Sequence, residues 1–151
     1  MSTENMETLR SVAIKVLERF AFLLADPLEH AVVASHADGF WLVQVIFRGP
    51  RQGALALIAT PILARQLAAN LYGYEQGDEV TPEQAEDALK ELLNVICGDY
   101  LHRMDGSAAI YDLSAPECSA ITGEAVQLWL KRHAHGFLSV EGHPMILSGG
   151  D

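Results

Sequence analysis

Apolar residues recur at spacings of three and four over Met6, Leu9, Val12, Ala13, Val16, Leu17, Phe20 and Leu24. This period predicts an amphipathic helix over residues 6–25, ended by Asp26-Pro27. Residues 31–37 and 40–48 then read as two strands joined by Asp38-Gly39, a pair favoured in tight hairpin turns. Gly49-Pro50-Arg51-Gln52-Gly53 turns the chain into a third strand over 54–59. Thr60-Pro61 starts a helix, with Thr as the cap and Pro at the first helical position; Ile62, Leu63, Leu67 and Leu71 follow, and Gly73 ends it. Thr81-Pro82-Glu83-Gln84 repeats that start and adds Gln at the third helical position, a capping box. The longest helix is predicted from there to about Met104, with Asp105-Gly106 as its stop. Three more strands are expected at 108–113, 124–132 and 136–147; in the second, Val126, Leu128 and Leu130 alternate with Gln127, Trp129 and Lys131.

The order is helix, three strands, helix, then helix, three strands, which reads as two similar halves. Hairpin-length links imply an antiparallel sheet with helices against one face. The expectation is therefore a single α+β domain over residues 1–151 with about six strands.

The polar side of the long helix is less ordinary than its apolar side. Asp87, Glu91 and Asn94 fall at i, i+4 and i+7, which puts them on one stripe, and Gly98 continues the line. Two carboxylates four apart repel by roughly 0.2–0.5 kcal/mol, and Asn is a mediocre helix former. Stability alone would not select this stripe. A Glu offers one charge to a partner's Lys or Arg, and an Asn carries a donor and an acceptor on one planar head. Such a carboxamide can hold a water in line with a phosphoryl group, as a Gln does in some GTPases. The small Gly98 leaves room for another molecule to approach the helix beside Asn94.

Composition removes several alternatives. Half of the 151 residues are apolar, enough for one core. Asp and Glu outnumber Lys and Arg 20 to 10, so the formal charge is −10. That surface repels nucleic-acid phosphates and anionic membranes. The start lacks the basic segment of a secretory signal, and no run approaches the roughly 18 apolar residues that cross a bilayer. The expectation is a cytoplasmic protein with no membrane insertion. Cys97 lies in an apolar helical stretch and reads as a small core residue. His133-x-His135 with His143 suggests a metal, but no third ligand stands at a convincing spacing, so a hydrogen-bonded or solvent-facing group is the expected reading. No nucleophile elbow, phosphate-binding Gly-Lys-Ser/Thr loop or dinucleotide fingerprint occurs.

The Asp87-x3-Glu91-x2-Asn94 pattern resembles the signature of the chemotaxis phosphatases CheC, CheX and FliY, in which Asp or Ser, Glu and Asn stand at this spacing on a surface helix. Pro116 lies close to the place of the family's downstream Pro. The strand-to-helix passage Gly53-Ala-Leu-Ala-Leu-Ile-Ala-Thr-Pro61 and the segment Leu67-Ala-Ala-Asn-Leu-Tyr-Gly73 are also similar to the family, so the resemblance spans about residues 8–147. It implies hydrolysis of the aspartyl phosphate on a response regulator of the CheY type. Glu91 would grip the regulator's active-site Lys and Asn94 would orient the attacking water, with Asp87 and Gly98 in support. The phospho-aspartate and Mg²⁺ would come with the regulator, so no cofactor or metal of the chain's own is expected. CheC-like members carry a second Glu-x-x-Asn pair on the helix of the first half. Here that helix has only Glu7-x-x-Arg10 and Glu18-x-x-Ala21, so one site per chain and a CheX-like homodimer through sheet edges are implied. The competing function is a binding module of the same fold that docks a receiver or a flagellar switch protein without turnover.

Overall fold

The structure is a computed structural model that describes residues 1–30, 39–75 and 78–150. The strand expected at 31–37 and its Asp38 turn lie outside the described residues. The chain runs α1 (Thr3–Ala21), β1 (Ala25–Leu28), β2 (Phe40–Arg48), β3 (Gln52–Ala59), α2 (Pro61–Tyr72), α3 (Pro82–Asp105), β4 (Asp112–Leu113), β5 (Glu117–Ile121), α4 (Gly123–Arg132), β6 (Ala134–Val140) and β7 (His143–Gly150).

Among the described residues seven strands form one antiparallel sheet in the order β1-β6-β7-β3-β2, with β4 and β5 both pairing with β2. The two halves are visible in this pairing. Hairpin β2–β3 and hairpin β6–β7 meet at the central β3–β7 ladder. Each half also lends a strand to the other: β1 pairs with β6, and β5 pairs with β2. The halves therefore interlock, and neither forms a sheet of its own.

Alternation along the strands sends side chains to two faces. Val43, Val45, Phe47, Leu55, Leu57, Leu138, Val140, Met145 and Leu147 point into a core closed by α1, α2 and α3. Phe40, Leu42, Ala56, Ile58 and Ile146 point the other way, where Val126 of α4 covers them. Helices thus lie on both faces, which corrects the expectation of one covered face.

The reason is the segment 124–132, expected as a strand and found as α4. Its apparent alternation competes with a helical spacing, and Val126, Trp129 and Leu130 at i, i+3 and i+4 make the contacts with the sheet. Leu128, inward in the strand reading, is 53% exposed. Thr122 caps the helix by accepting from the Ala125 N–H at 3.1 Å.

Three further segments differ from the sequence reading. The first helix stops at Ala21, because Phe22 turns left-handed at φ 57°. Leu23 then enters the core and Leu24 faces out. Asp26-Pro27 falls inside the edge strand β1, where a residue without an N–H costs no ladder bond. The single strand expected at 136–147 is a hairpin turned at Glu141-Gly142, both at positive φ. In place of a strand over 108–113 only Asp112–Leu113 pairs, and the polar β5 follows it.

Candidate functional site

α3 is fixed before its polar face is considered. Thr81 and Gln84 complete the capping box: the Gln84 N–H donates to Thr81 Oγ1 at 3.2 Å, and the Thr81 N–H donates to Gln84 Oε1 at 3.0 Å. Ala85, Ala88, Leu89, Leu92, Leu93, Ile96, Cys97, Tyr100 and Leu101 are all buried. Each buried Leu contributes roughly 1.5–3 kcal/mol. That sum far exceeds the few tenths lost to repulsion between Asp87 and Glu91, so the helix tolerates an unfavourable outer stripe.

On that outer side Asp87, Glu91 and Gly98 are exposed and Asn94 is partly exposed. From Asp87 to Asn94 the stripe covers roughly 10 Å of helix. Among the described residues, no hydrogen bond or ion pair engages the side chain of Asp87, Glu91 or Asn94. A carbon placed on Gly98 would meet nothing within 4 Å, so the surface beside Asn94 is open.

Asp87 and Glu91 also form one wall of a groove of about 320 Å³ whose other walls are Phe20 of α1, Phe22 just after it and Tyr72 of α2. Phe22 is 75% exposed and Tyr72 46%. Sequence reasoning missed this aromatic border. Phe22 falls off the helical period of α1, and only the packing of α1 and α2 against α3 brings Phe22 and Tyr72 to the stripe. Pro116 stands in the short link between β4 and β5 and is not among the residues that line this groove.

The remaining candidates carry other work. Burial pushes the Cys97 thiol up to about 12, which leaves almost no thiolate for redox or nucleophilic chemistry. Cys118 rises to about 11, chiefly through burial and further through the Glu86 carboxylate, with Lys90 opposing. His133 Nδ1 lies 3.1 Å from the Trp129 carbonyl and its ring stacks on Trp129. His135 Nδ1 lies 2.9 Å from the His133 carbonyl. His143 pairs with Val140 at the far end of the hairpin, so the three histidines do not converge. Among the described residues no group of three His, Cys, Asp or Glu is placed to hold a metal, and no helix is long and apolar enough to cross a membrane.

Comparison with solved structures gives matches over nearly the whole chain. CheX from Vibrio vulnificus is similar at 17% identity with a TM-score of 0.73, covering 97% of this chain and 95% of that one. CheX in a complex with CheY, BeF3 and Mg from Borrelia burgdorferi matches at 16% identity and a TM-score of 0.64, covering 97% and 96%. A CheC-like superfamily protein from a Shewanella species matches at 14% identity and a TM-score of 0.66, covering 100% of both chains. At these identities the likeness is one of fold. No curated protein sequence gives a significant match. The family model for the chemotaxis phosphatase CheX matches residues 42–137, which takes in all of α3 and more than half of the chain, and the protein belongs to that family.

Proposed function

We propose that the protein removes the phosphoryl group from the phospho-aspartate of a CheY-type response regulator in the cytoplasm. The observation that carries the reading is the stripe itself: Glu91 and Asn94 stand one turn apart on an outer face of a firmly buried helix, with no partner among the described residues. Glu91 takes the Lys of the receiver's active site and fixes the register of docking. Asn94 enters beside it and holds a water in line with the phosphorus through its amide donor and acceptor. Asp87 borders the contact, and Gly98 leaves room for the partner's backbone. The receiver supplies the phospho-aspartate and its Mg²⁺. Catalysis is by positioning, without a nucleophile on this chain. CheX of Borrelia burgdorferi, whose fold this chain shares, is found in a complex with CheY.

The test follows loss of label from a phosphorylated CheY-type receiver. Wild type is expected to speed the loss and Asn94→Ala to slow it by about 100-fold, the usual cost of removing one pre-positioned polar group. Glu91→Ala should lose roughly 30-fold, about 2 kcal/mol, through the unpaired partner Lys. An Asn94→Ala variant as fast as wild type removes the mechanism. Tight binding of the receiver by a wild type that never alters its dephosphorylation rate points to a docking module instead.

A homodimer through sheet edges is part of this reading. The outer strand β1 is four residues long and contains Pro27, a poor edge for pairing. β5 pairs with β2 on one side and, among the described residues, has no strand on the other. Equilibrium sedimentation at micromolar concentration should give a dimer, and a monomer excludes it.

A further inference from the structure

Two cavities that share Phe20 make a groove along α1 and α3, and Asp87 and Glu91 of the stripe border one of them. Phe20 lines the acidic cavity beside Asp87 and Glu91, and it also lines a second cavity of about 440 Å³ on the other side. The second cavity is bordered by Lys15 and Arg19 of α1 and by Val95, Asp99 and Arg103 of α3. Lys15, Arg19 and Arg103 are exposed, and none has an ion-pair partner among the described residues. In a chain with ten Lys and Arg and a net charge of −10, three cations face one another across a groove that holds a single opposing carboxylate, Asp99. The groove is therefore dipolar: negative at Asp87 and Glu91, apolar at Phe20, Phe22 and Tyr72, and positive at the far end.

We infer that this groove is the docking footprint for the phosphorylated receiver, with Lys15, Arg19 and Arg103 as its anion-recognising end; the inference rests on the function proposed above. Charge complementarity selects the occupant. A phosphorylated receiver presents a Lys beside a phosphoryl dianion and the carboxylates that hold its Mg²⁺. Glu91 matches the Lys, but most of a surface carrying a charge of −10 repels the rest, which slows encounter. Arg103 lies nine residues beyond Asn94, roughly 13 Å along the helix and half a turn around it, which is more than one screening length at 0.1 M salt. Cations at that distance attract the acidic rim at low salt and lose their hold as salt rises. Phe22 and Tyr72, exposed beside the stripe, supply the apolar contact that fixes the complex once formed.

The probe is a CheY-type receiver carrying beryllofluoride and Mg²⁺, titrated against wild type, Lys15→Glu/Arg19→Glu and Phe22→Ala. The charge reversal should weaken binding at least tenfold at about 50 mM salt and no more than about threefold at 0.5 M. In dephosphorylation it should raise KM by a similar factor and change kcat by less than about threefold. Phe22→Ala should weaken binding tenfold or more at both salt concentrations. Lys15→Gln/Arg19→Gln, which removes the charges without reversing them, should fall between wild type and the reversal. If wild type accelerates dephosphorylation and the reversal matches it in KM at every salt concentration, the footprint is wrong and the proposed function stands. If wild type neither binds the probe nor accelerates the reaction, both fall.

Discussion

α1 and α3 open the two halves of the fold and pack side by side against the same sheet face, and the Glu7–Arg10 turn of α1 uses its polar residues in the opposite way to the stripe of α3. On α1 Glu7 and Arg10 hold structure. Arg10 donates to the carbonyls of Leu28 at 3.0 Å and Phe137 at 3.4 Å, tying the helix to β1 and β6, and Glu7 pairs with its guanidinium. A side chain at Gly136 would strike Arg10 Cδ at 2.8 Å, so the small residue on β6 makes space for this tie. At the end of the helix the Ala21 carbonyl accepts from Asn70 Nδ2 at 2.9 Å. On α3 the polar stripe is tied to nothing among the described residues, and the helix is held by its buried face and by contacts at its two ends. The Glu-x-x-Asn pair is missing from α1, where Arg10 stands three residues after Glu7 and the buried Ala21 three after Glu18. A polar residue already satisfied inside the fold is not free to act on another molecule.

The sharpest way to break this contrast is at Asn94. Asn94→Ala should cost about 100-fold in receiver dephosphorylation while leaving thermal stability unchanged or slightly raised, since Ala is the better helix former. Arg10→Ala should do the reverse. It leaves two backbone carbonyls without their donor, which costs about 2 kcal/mol and lowers the melting temperature by roughly 4–8 °C. Its activity at 25 °C should stay within about twofold of wild type. A folded Arg10→Ala protein with lost activity would show that Arg10 does more than support.

Gly98 separates space from stability. Gly98→Ala adds a carbon into open surface and should stabilise the helix by roughly 0.5–1 kcal/mol. Gly98→Val fills more of that surface at little cost to the fold. If the partner's backbone comes close there, KM for the receiver should rise at least tenfold with Val and much less with Ala. Equal KM values for Gly, Ala and Val would place the contact elsewhere.

How far the sequence disclosed these differences depended on the range of the forces involved. The long helix was legible because its capping box, its apolar face and its stop are all local, and Asp87, Glu91 and Asn94 could be placed on one face by counting. β2 and α2 were legible for the same reason. α4 was misread because a ten-residue segment satisfies two periods at once, and the uncovered face of the sheet decides between them. The Glu141-Gly142 turn was missed because Glu is an unusual residue at positive φ; here its N–H donates to the Leu24 carbonyl at 3.0 Å and its carboxylate accepts from the Leu24 N–H at 2.9 Å. The groove was invisible. Phe22, Tyr72 and Glu91 meet only through tertiary packing, and the cations at the other end come from two helices separated by sixty residues.

The smallest effect bears most directly on why the stripe exists. Asp87 is the sixth residue of α3, beyond the first turn where the helix dipole rewards a carboxylate. It repels Glu91 one turn on, and Asp is a poorer helix former than Ala. Asp87→Ala should therefore raise stability by roughly 0.5–1 kcal/mol, or about 1–4 °C in melting temperature, while lowering receiver dephosphorylation a few-fold. Such opposite signs mark a residue kept for function at the expense of the fold. A fall in stability would mean that Asp87 has a structural role and that its place beside Glu91 needs no partner to explain it.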